Sequence, residues 1–123
     1  MKQLYESGEM YLETILTLGQ KIGNVRSIDI VREMGFSKPS VSNAMKSLRE
    51  AGYVNVDDAG LVTLTDAGSE VAEKIYERHK VLSEFFKSIG VSEDTATDDA
   101  CRIEHVISDE TFEALKKHMN KSS

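Results

Sequence analysis

The stretch from Ser27 to Gly52 limits this chain more than any other. Ser27-Ile28-Asp29-Ile30-Val31-Arg32-Glu33-Met34-Gly35 reads as a short helix that starts on a serine cap and stops on glycine. Phe36 and Ser37 make a turn. Lys38 to Gly52 then carries Val41, Ala44, Met45 and Leu48 at i, i+3, i+4 and i+7, one face of a second, longer helix. Ser37 is placed to cap it, and Pro39 falls in the first turn, where a missing N–H costs little. Gly52 closes it. Short helix, tight turn and longer helix form the helix-turn-helix outline.

The flanking segments extend that outline. Tyr53-Val54-Asn55-Val56 and Leu61-Val62-Thr63-Leu64 are β-rich runs around Asp57-Asp58-Ala59-Gly60, which reads as a hairpin. A hairpin directly after a helix-turn-helix is a wing. Upstream, Met10, Leu12, Ile15, Leu16 and Leu18 give a helix over Glu9 to Leu18, capped by Ser7 and ended or loosened by Gly19 and Gly23. Downstream, Thr65 and Asp66 cap a long helix from about Ala67 to about Ile89. Another helix starts at Ser92 and holds Cys101 to His105. A last one, capped by Ser108-Asp109-Glu110, carries Phe112, Leu115 and Met119. The expected fold is mainly α with a small β-hairpin: a winged helix-turn-helix over 1–65, then an α-helical domain over 66–123.

Composition narrows the class. A single Cys rules out an internal disulfide, no apolar run is long enough for a bilayer, and the N-terminus lacks the pattern of a signal peptide. The expectation is a cytoplasmic protein with no membrane partner. The net charge of −6 argues against a nucleic-acid partner, but the distribution argues the other way. Between Phe36 and Arg49 the charged residues are Lys38, Lys46 and Arg49, and the acids collect later, around Glu93-Asp94, Asp98-Asp99 and Asp109-Glu110. A local basic face of this kind can dock on phosphates.

The second helix of a helix-turn-helix enters the major groove with its N-terminal residues against base edges. Here those are Ser37, Lys38, Pro39, Ser40, Ser42 and Asn43. They are small or polar, so backbone can approach closely. Asn43 suits adenine or a phosphate, and the Pro39 ring suits a thymine methyl. Lys46 and Arg49 reach toward phosphates. The same module also serves protein–protein contact in other settings.

A second constellation carries metal chemistry. In Asp99-Ala100-Cys101-Arg102-Ile103-Glu104-His105, the thiol, carboxylate and imidazole stand at i, i+3 and i+4 on one helix face. That mixture suits a divalent transition metal and leaves coordination positions open. Met10 and Glu13, again at i and i+3, and His79 are further donors. Each also has a plainer reading: Cys101 and Met10 as core, Glu13 and His79 as solvated surface. No orienting acid or oxyanion feature accompanies the Cys–His pair, so an enzyme with a small-molecule substrate is not expected.

Several strings resemble one family. They are Glu9-Met10-Tyr11-Leu12, Ser37-Lys38-Pro39-Ser40-Val41-Ser42, Leu64-Thr65-Asp66-Ala67-Gly68, Arg78-His79 and Ala100-Cys101-Arg102-Ile103-Glu104-His105-Val106-Ile107-Ser108-Asp109-Glu110. Over essentially its whole length the chain resembles the diphtheria-toxin-repressor (DtxR/MntR) family. The resemblance implies Fe(II)- or Mn(II)-dependent repression of metal-uptake genes at a DNA operator. It also implies homodimers joined through the C-terminal helices, so 66–123 would be a metal-binding and dimerisation domain.

The resemblance further implies a primary metal site of Met10, Cys101, Glu104 and His105, the set used by iron-type members. Manganese-type members place an acid at the position of Met10 and a Glu at that of Cys101, so the softer sulfur donors here lean away from Mn(II). The length resembles the short manganese type, which has no SH3-like domain. The iron type's ancillary site is put in doubt, because Ser83 and Thr97 stand where a Glu and a His belong. Glu13 and His79 instead match two ligands of the manganese type's second site, whose bridging carboxylate is here Cys101. They form a candidate second site. Zn(II), Ni(II) and Co(II) are expected to substitute, because affinity order does not follow biology. The competing expectation is a metal-independent winged-helix regulator with Cys101 and His105 structural.

Overall fold

The structure, a computed structural model, describes residues 6–122. The first helix, α1 (Glu6–Ile22), runs longer than its apolar pattern suggests. It passes through Gly19, and Ser7 lies inside it rather than capping it. One glycine in a helix costs about 1 kcal/mol, and burial of Tyr11, Leu12, Ile15 and Leu18 offsets this. Gly23, with φ +81°, ends it.

Next come β1 (Val25–Arg26) and α2 (Ser27–Met34). Ser27 is the first helical residue and not the cap. That place belongs to Arg26, whose backbone N–H donates to Asp29 Oδ2 at 2.9 Å. Gly35, at φ +72°, terminates the helix and returns its N–H to the Val31 carbonyl at 2.9 Å. Helix α3 (Lys38–Glu50) starts as the sequence predicts, with Ser37 Oγ accepting from the Ser40 N–H at 3.2 Å. Such a cap contributes about 0.5–2 kcal/mol.

The wing is formed by β2 (Val54–Val56) and β3 (Leu61–Leu64), antiparallel with Asn55 opposite Thr63. Its turn is held by Asp57, whose Oδ1 accepts from the N–H groups of Ala59 and Leu61, both at 2.9 Å. A third strand, missed in the sequence because two residues show no alternation, is β1. It pairs with β3 through Val25–Val62 and Arg26–Leu61, giving the order β1-β3-β2. Arg26 also reaches the wing turn, donating from Nη1 to the Ala59 carbonyl.

Helix α4 (Asp66–Ser88) opens on Thr65. Thr65 Oγ1 accepts from the Gly68 N–H at 3.1 Å and donates to the Gly52 carbonyl at 2.6 Å. At Gly68 the helix passes so close to the Tyr53 carbonyl that an added Cβ would sit 2.0 Å from that oxygen. After it come α5 (Glu93–Ile103), capped by Ser92, and α6 (Asp109–Ser122), where Ser108 Oγ accepts from the Thr111 N–H at 3.1 Å.

The chain forms two compact units, one up to Glu73 and one from Lys74. The core of the first gathers Leu12, Ile15, Ile30, Val41, Met45, Val54 and Val62, and reaches Ala72 in α4. The second buries Ile75, Leu82, Ala96, Ala100 and Phe112. Among the described residues no helix is long and apolar enough to cross a membrane.

Candidate metal centre and nucleic-acid interface

In the first unit the packing of α3 divides its side chains by function. Val41, Met45 and Leu48 turn inward and are buried, while Ser37, Lys38, Pro39, Ser40, Ser42, Asn43, Lys46 and Arg49 are all exposed. The residues expected to meet DNA thus form one outward surface, with no acid before Glu50. The Ser37 and Ser40 hydroxyls are tied together at 2.9 Å, so the helix start presents a fixed polar edge. A cleft beside it, of about 210 Å³, is lined by Ser27, Ser42, Lys46, Arg49 and Val56. The wing tip is acidic: Asp57 is occupied by the turn, and Asp58 is exposed.

In the second unit, the ligand string departs from its expected geometry. Cys101 to His105 were expected on one helix, but α5 gives out at Ile103. Glu104 is its C-cap, with helical backbone angles and its N–H on the Ala100 carbonyl at 2.9 Å. His105 lies in the turn beyond, where Val106 and Ile107 both donate to the Ile103 carbonyl at 3.0 Å. The i, i+3 convergence of Cys101 and Glu104 survives, because Glu104 keeps the helical course.

What the spacing did not reveal is the place of His79. From α4, its Nδ1 lies 2.9 Å from Glu104 Oε1 and 3.7 Å from Cys101 Sγ. One donor atom from each of His79, Cys101 and Glu104 fits within 4.8 Å of the others. Cys101 is exposed, the His79 side chain is 22% exposed, and the Glu104 side chain is fully buried. The second carboxylate oxygen, Oε2, is buried without a hydrogen-bond partner. It stands 3.8 Å from His105 Nε2, beyond hydrogen-bond reach.

This donor set fits a divalent cation. A buried carboxylate costs free energy unless it is fully paired, and an oxygen left over beside a thiol and two imidazoles has the character of an open ligand. Thiolate, imidazole and carboxylate together suit a first-row transition metal better than Mg²⁺ or Ca²⁺. Met10 and Glu13 lie on α1 in the other unit, three residues apart; Met10 is exposed and Glu13 half-buried.

The comparisons with known proteins agree with both halves. Residues 3–61 match the model of the iron dependent repressor N-terminal DNA binding domain. Residues 65–123 match that of the iron dependent repressor metal binding and dimerisation domain. The chain is 36% identical over 118 residues to an uncharacterized HTH-type transcriptional regulator of Methanocaldococcus jannaschii, covering 94% of each chain. It is 32% identical over 111 residues to the transcriptional regulator MntR of Escherichia coli, covering 90% of this chain and 72% of the relative. Among solved structures it is similar to a manganese-dependent transcriptional repressor in complex with manganese, with TM-score 0.84 and 28% identity. That match covers 92% of this chain and 52% of the other, so the chain spans about half that structure's length.

Proposed function

We propose how this chain works as a metal-switched repressor, from the premise that it belongs to the iron-dependent repressor family. Its relatives are transcriptional regulators and not enzymes. On our reading it acts in the cytoplasm as a homodimer on a duplex DNA operator, repressing genes of metal homeostasis. The exposed face of α3, with Lys38, Lys46 and Asn43, supplies phosphate and base contacts.

The observation that carries the metal reading is the buried, incompletely paired Glu104 carboxylate beside His79 and Cys101. We assign Cys101, Glu104, His105 and His79 as ligands. Met10 and Glu13 enter the set from their i, i+3 spacing and from the family resemblance. Bound there, a divalent cation supplies positive charge and a point of attachment for these donors. Glu104, whose second oxygen is buried without a hydrogen-bond partner, would serve as its buried anionic ligand. By linkage, whatever factor metal adds to DNA affinity, DNA adds to metal affinity, typically about 1–3 kcal/mol.

The solved neighbour is manganese-dependent, but a thiolate and a thioether are softer than the oxygen donors that suit Mn(II). We therefore place Fe(II) ahead of Mn(II), with Zn(II), Ni(II) and Co(II) able to substitute. The test is anaerobic operator binding titrated with Fe(II) and Mn(II) in parallel, for the wild type and Glu104→Ala. DNA affinity should rise with metal, at lower Fe(II) than Mn(II), and Glu104→Ala should abolish the rise. Equal DNA binding with metal and with chelator refutes the reading, and a lower Mn(II) requirement refutes the choice of metal.

A further inference from the structure

Arg78, the residue before His79, is 6% exposed, deep for a residue that is always charged. Its guanidinium is aimed at the turn between α5 and α6. Nη1 donates to the Glu104 carbonyl at 3.0 Å and to the Ile107 carbonyl at 2.9 Å, and Nη2 donates to the Asp109 carboxylate. The guanidinium carbon lies 5.5 Å from the centroid of the Phe112 ring, on α6. Two consecutive residues of α4 therefore grip Glu104 at opposite ends: Arg78 its backbone carbonyl, His79 its carboxylate.

Burial of the Glu104 and His105 side chains, 0% and 2% exposed, anchors the turn together with Arg78. α5 stops at Ile103, and the last carbonyls of a helix need donors from elsewhere. Val106, in the middle of the turn, is 71% exposed and anchors nothing by burial. The two carbonyls that Arg78 holds bracket His105 and Val106. Fixing Glu104 and Ile107 fixes the path of the backbone between them, and so the direction in which Glu104 and His105 present their side chains. The fork geometry matters, since one guanidinium spans two carbonyls and a carboxylate where an ammonium is a point donor.

We infer that Arg78 is a positioning residue for the metal centre, setting the Glu104–His105 ligand pair through their backbone. The inference rests on the metal reading above. Partners of this kind behind metal ligands typically contribute about 10- to 100-fold in affinity.

The test uses the full chain with Co(II), whose visible absorption reports both affinity and coordination. The variants are Arg78→Met, Arg78→Lys and, as a control for plain loss of stability, Leu82→Ala elsewhere on α4. Arg78→Met should bind Co(II) about 10- to 100-fold more weakly with altered bands, and Arg78→Lys should fall between it and wild type. Leu82→Ala should lower the thermal midpoint and keep the wild-type spectrum. A folded Arg78→Met with wild-type affinity and bands overturns the inference. So does a Leu82→Ala protein with the same spectral change, because the effect is then general loosening. If Arg78→Met fails to fold, Arg78→Lys carries the test: weakening of about threefold or more supports the inference, and wild-type affinity overturns it. A wild-type chain that gives no Co(II) spectrum overturns the metal reading itself, and the inference with it.

Discussion

His79 Nδ1 lies 2.9 Å from Oε1 of Glu104, while the other oxygen of that carboxylate is buried without a hydrogen-bond partner. A buried carboxylate oxygen left over in this way is costly, and a cation held by Glu104 would offset that cost. Replacing Glu104 by Gln keeps the shape and removes the charge. We expect Glu104→Gln to be as stable as wild type in chelator, or more stable by up to about 1–3 kcal/mol, and to lose at least about tenfold in metal affinity. Denaturant unfolding with chelator and calorimetric metal titration measure both. A less stable metal-free Glu104→Gln protein would count against this account of the site.

On the DNA side, Lys46 and Asp58 should act in opposite directions. Lys46→Ala should weaken binding to all sequences alike and reduce the slope of log K against log salt by about one. Asp58 is exposed at the wing tip, where a carboxylate repels phosphate. Asp58→Lys should tighten binding at low salt and steepen the slope. Salt titrations of both variants, with metal present, decide this; an unchanged slope in Lys46→Ala removes that residue from the interface.

Gly68 has no room for a methyl group. A Cβ there meets the Tyr53 carbonyl oxygen at 2.0 Å and the Leu64 side chain at 3.3 Å. The carbonyl is backbone, so helix and wing must part. Although Ala is the better helix former, Gly68→Ala should destabilise by about 1–3 kcal/mol, read as a fall in the thermal midpoint. A stabilised Gly68→Ala would mean that the helix start does not press on Tyr53.

Asp109 gives a pH prediction. Lys74, 3.1 Å away, and then Arg78 hold its carboxyl below the usual 3.8. The unfolded chain binds that proton more readily, so the stability this group contributes is complete above 3.8 and is lost as pH falls through the lower folded value. Asp109→Asn should therefore lower the thermal midpoint at neutral pH, and the gap to wild type should close in acid. A gap that persists unchanged below the folded value would show that the charge is not the cause.

Much of this was written in local chemistry. Ser37 and Pro39 announce the start of α3, and its apolar spacing correctly separates Val41, Met45 and Leu48 from the outward residues. Asp57 and Gly60 announce the wing. The signals failed where structure depends on distant partners. β1 is two residues long and exists only because β3 accepts it. α1 runs past Gly19 although Gln20, Lys21 and Ile22 are exposed, because the burial of Leu12, Ile15 and Leu18 before it offsets the glycine. Cys101, Glu104 and His105 were visible as a motif because they are close in sequence. His79 is 22 residues from Cys101, and only the packing of α4 brings them together. Arg78 could have been suspected, since a charged residue beside a candidate ligand invites attention, but its carbonyl partners belong to a turn that no periodicity describes.

The first turns of α4 have an owner that strand and helix labels conceal. Gly68 presses on Tyr53, Thr65 bonds to Gly52, and Ala72 is fully buried in the same core as Leu12 and Ile30. A fragment severed after the last strand would surrender all three and expose the underside of its own wing. A fragment that keeps these contacts would run on to Glu73, carrying two turns of a helix whose remainder belongs to the other unit. Insertions and fusion joints would accordingly be tolerated better in the exposed turn at Ile89 and Gly90 than at the β3–α4 junction.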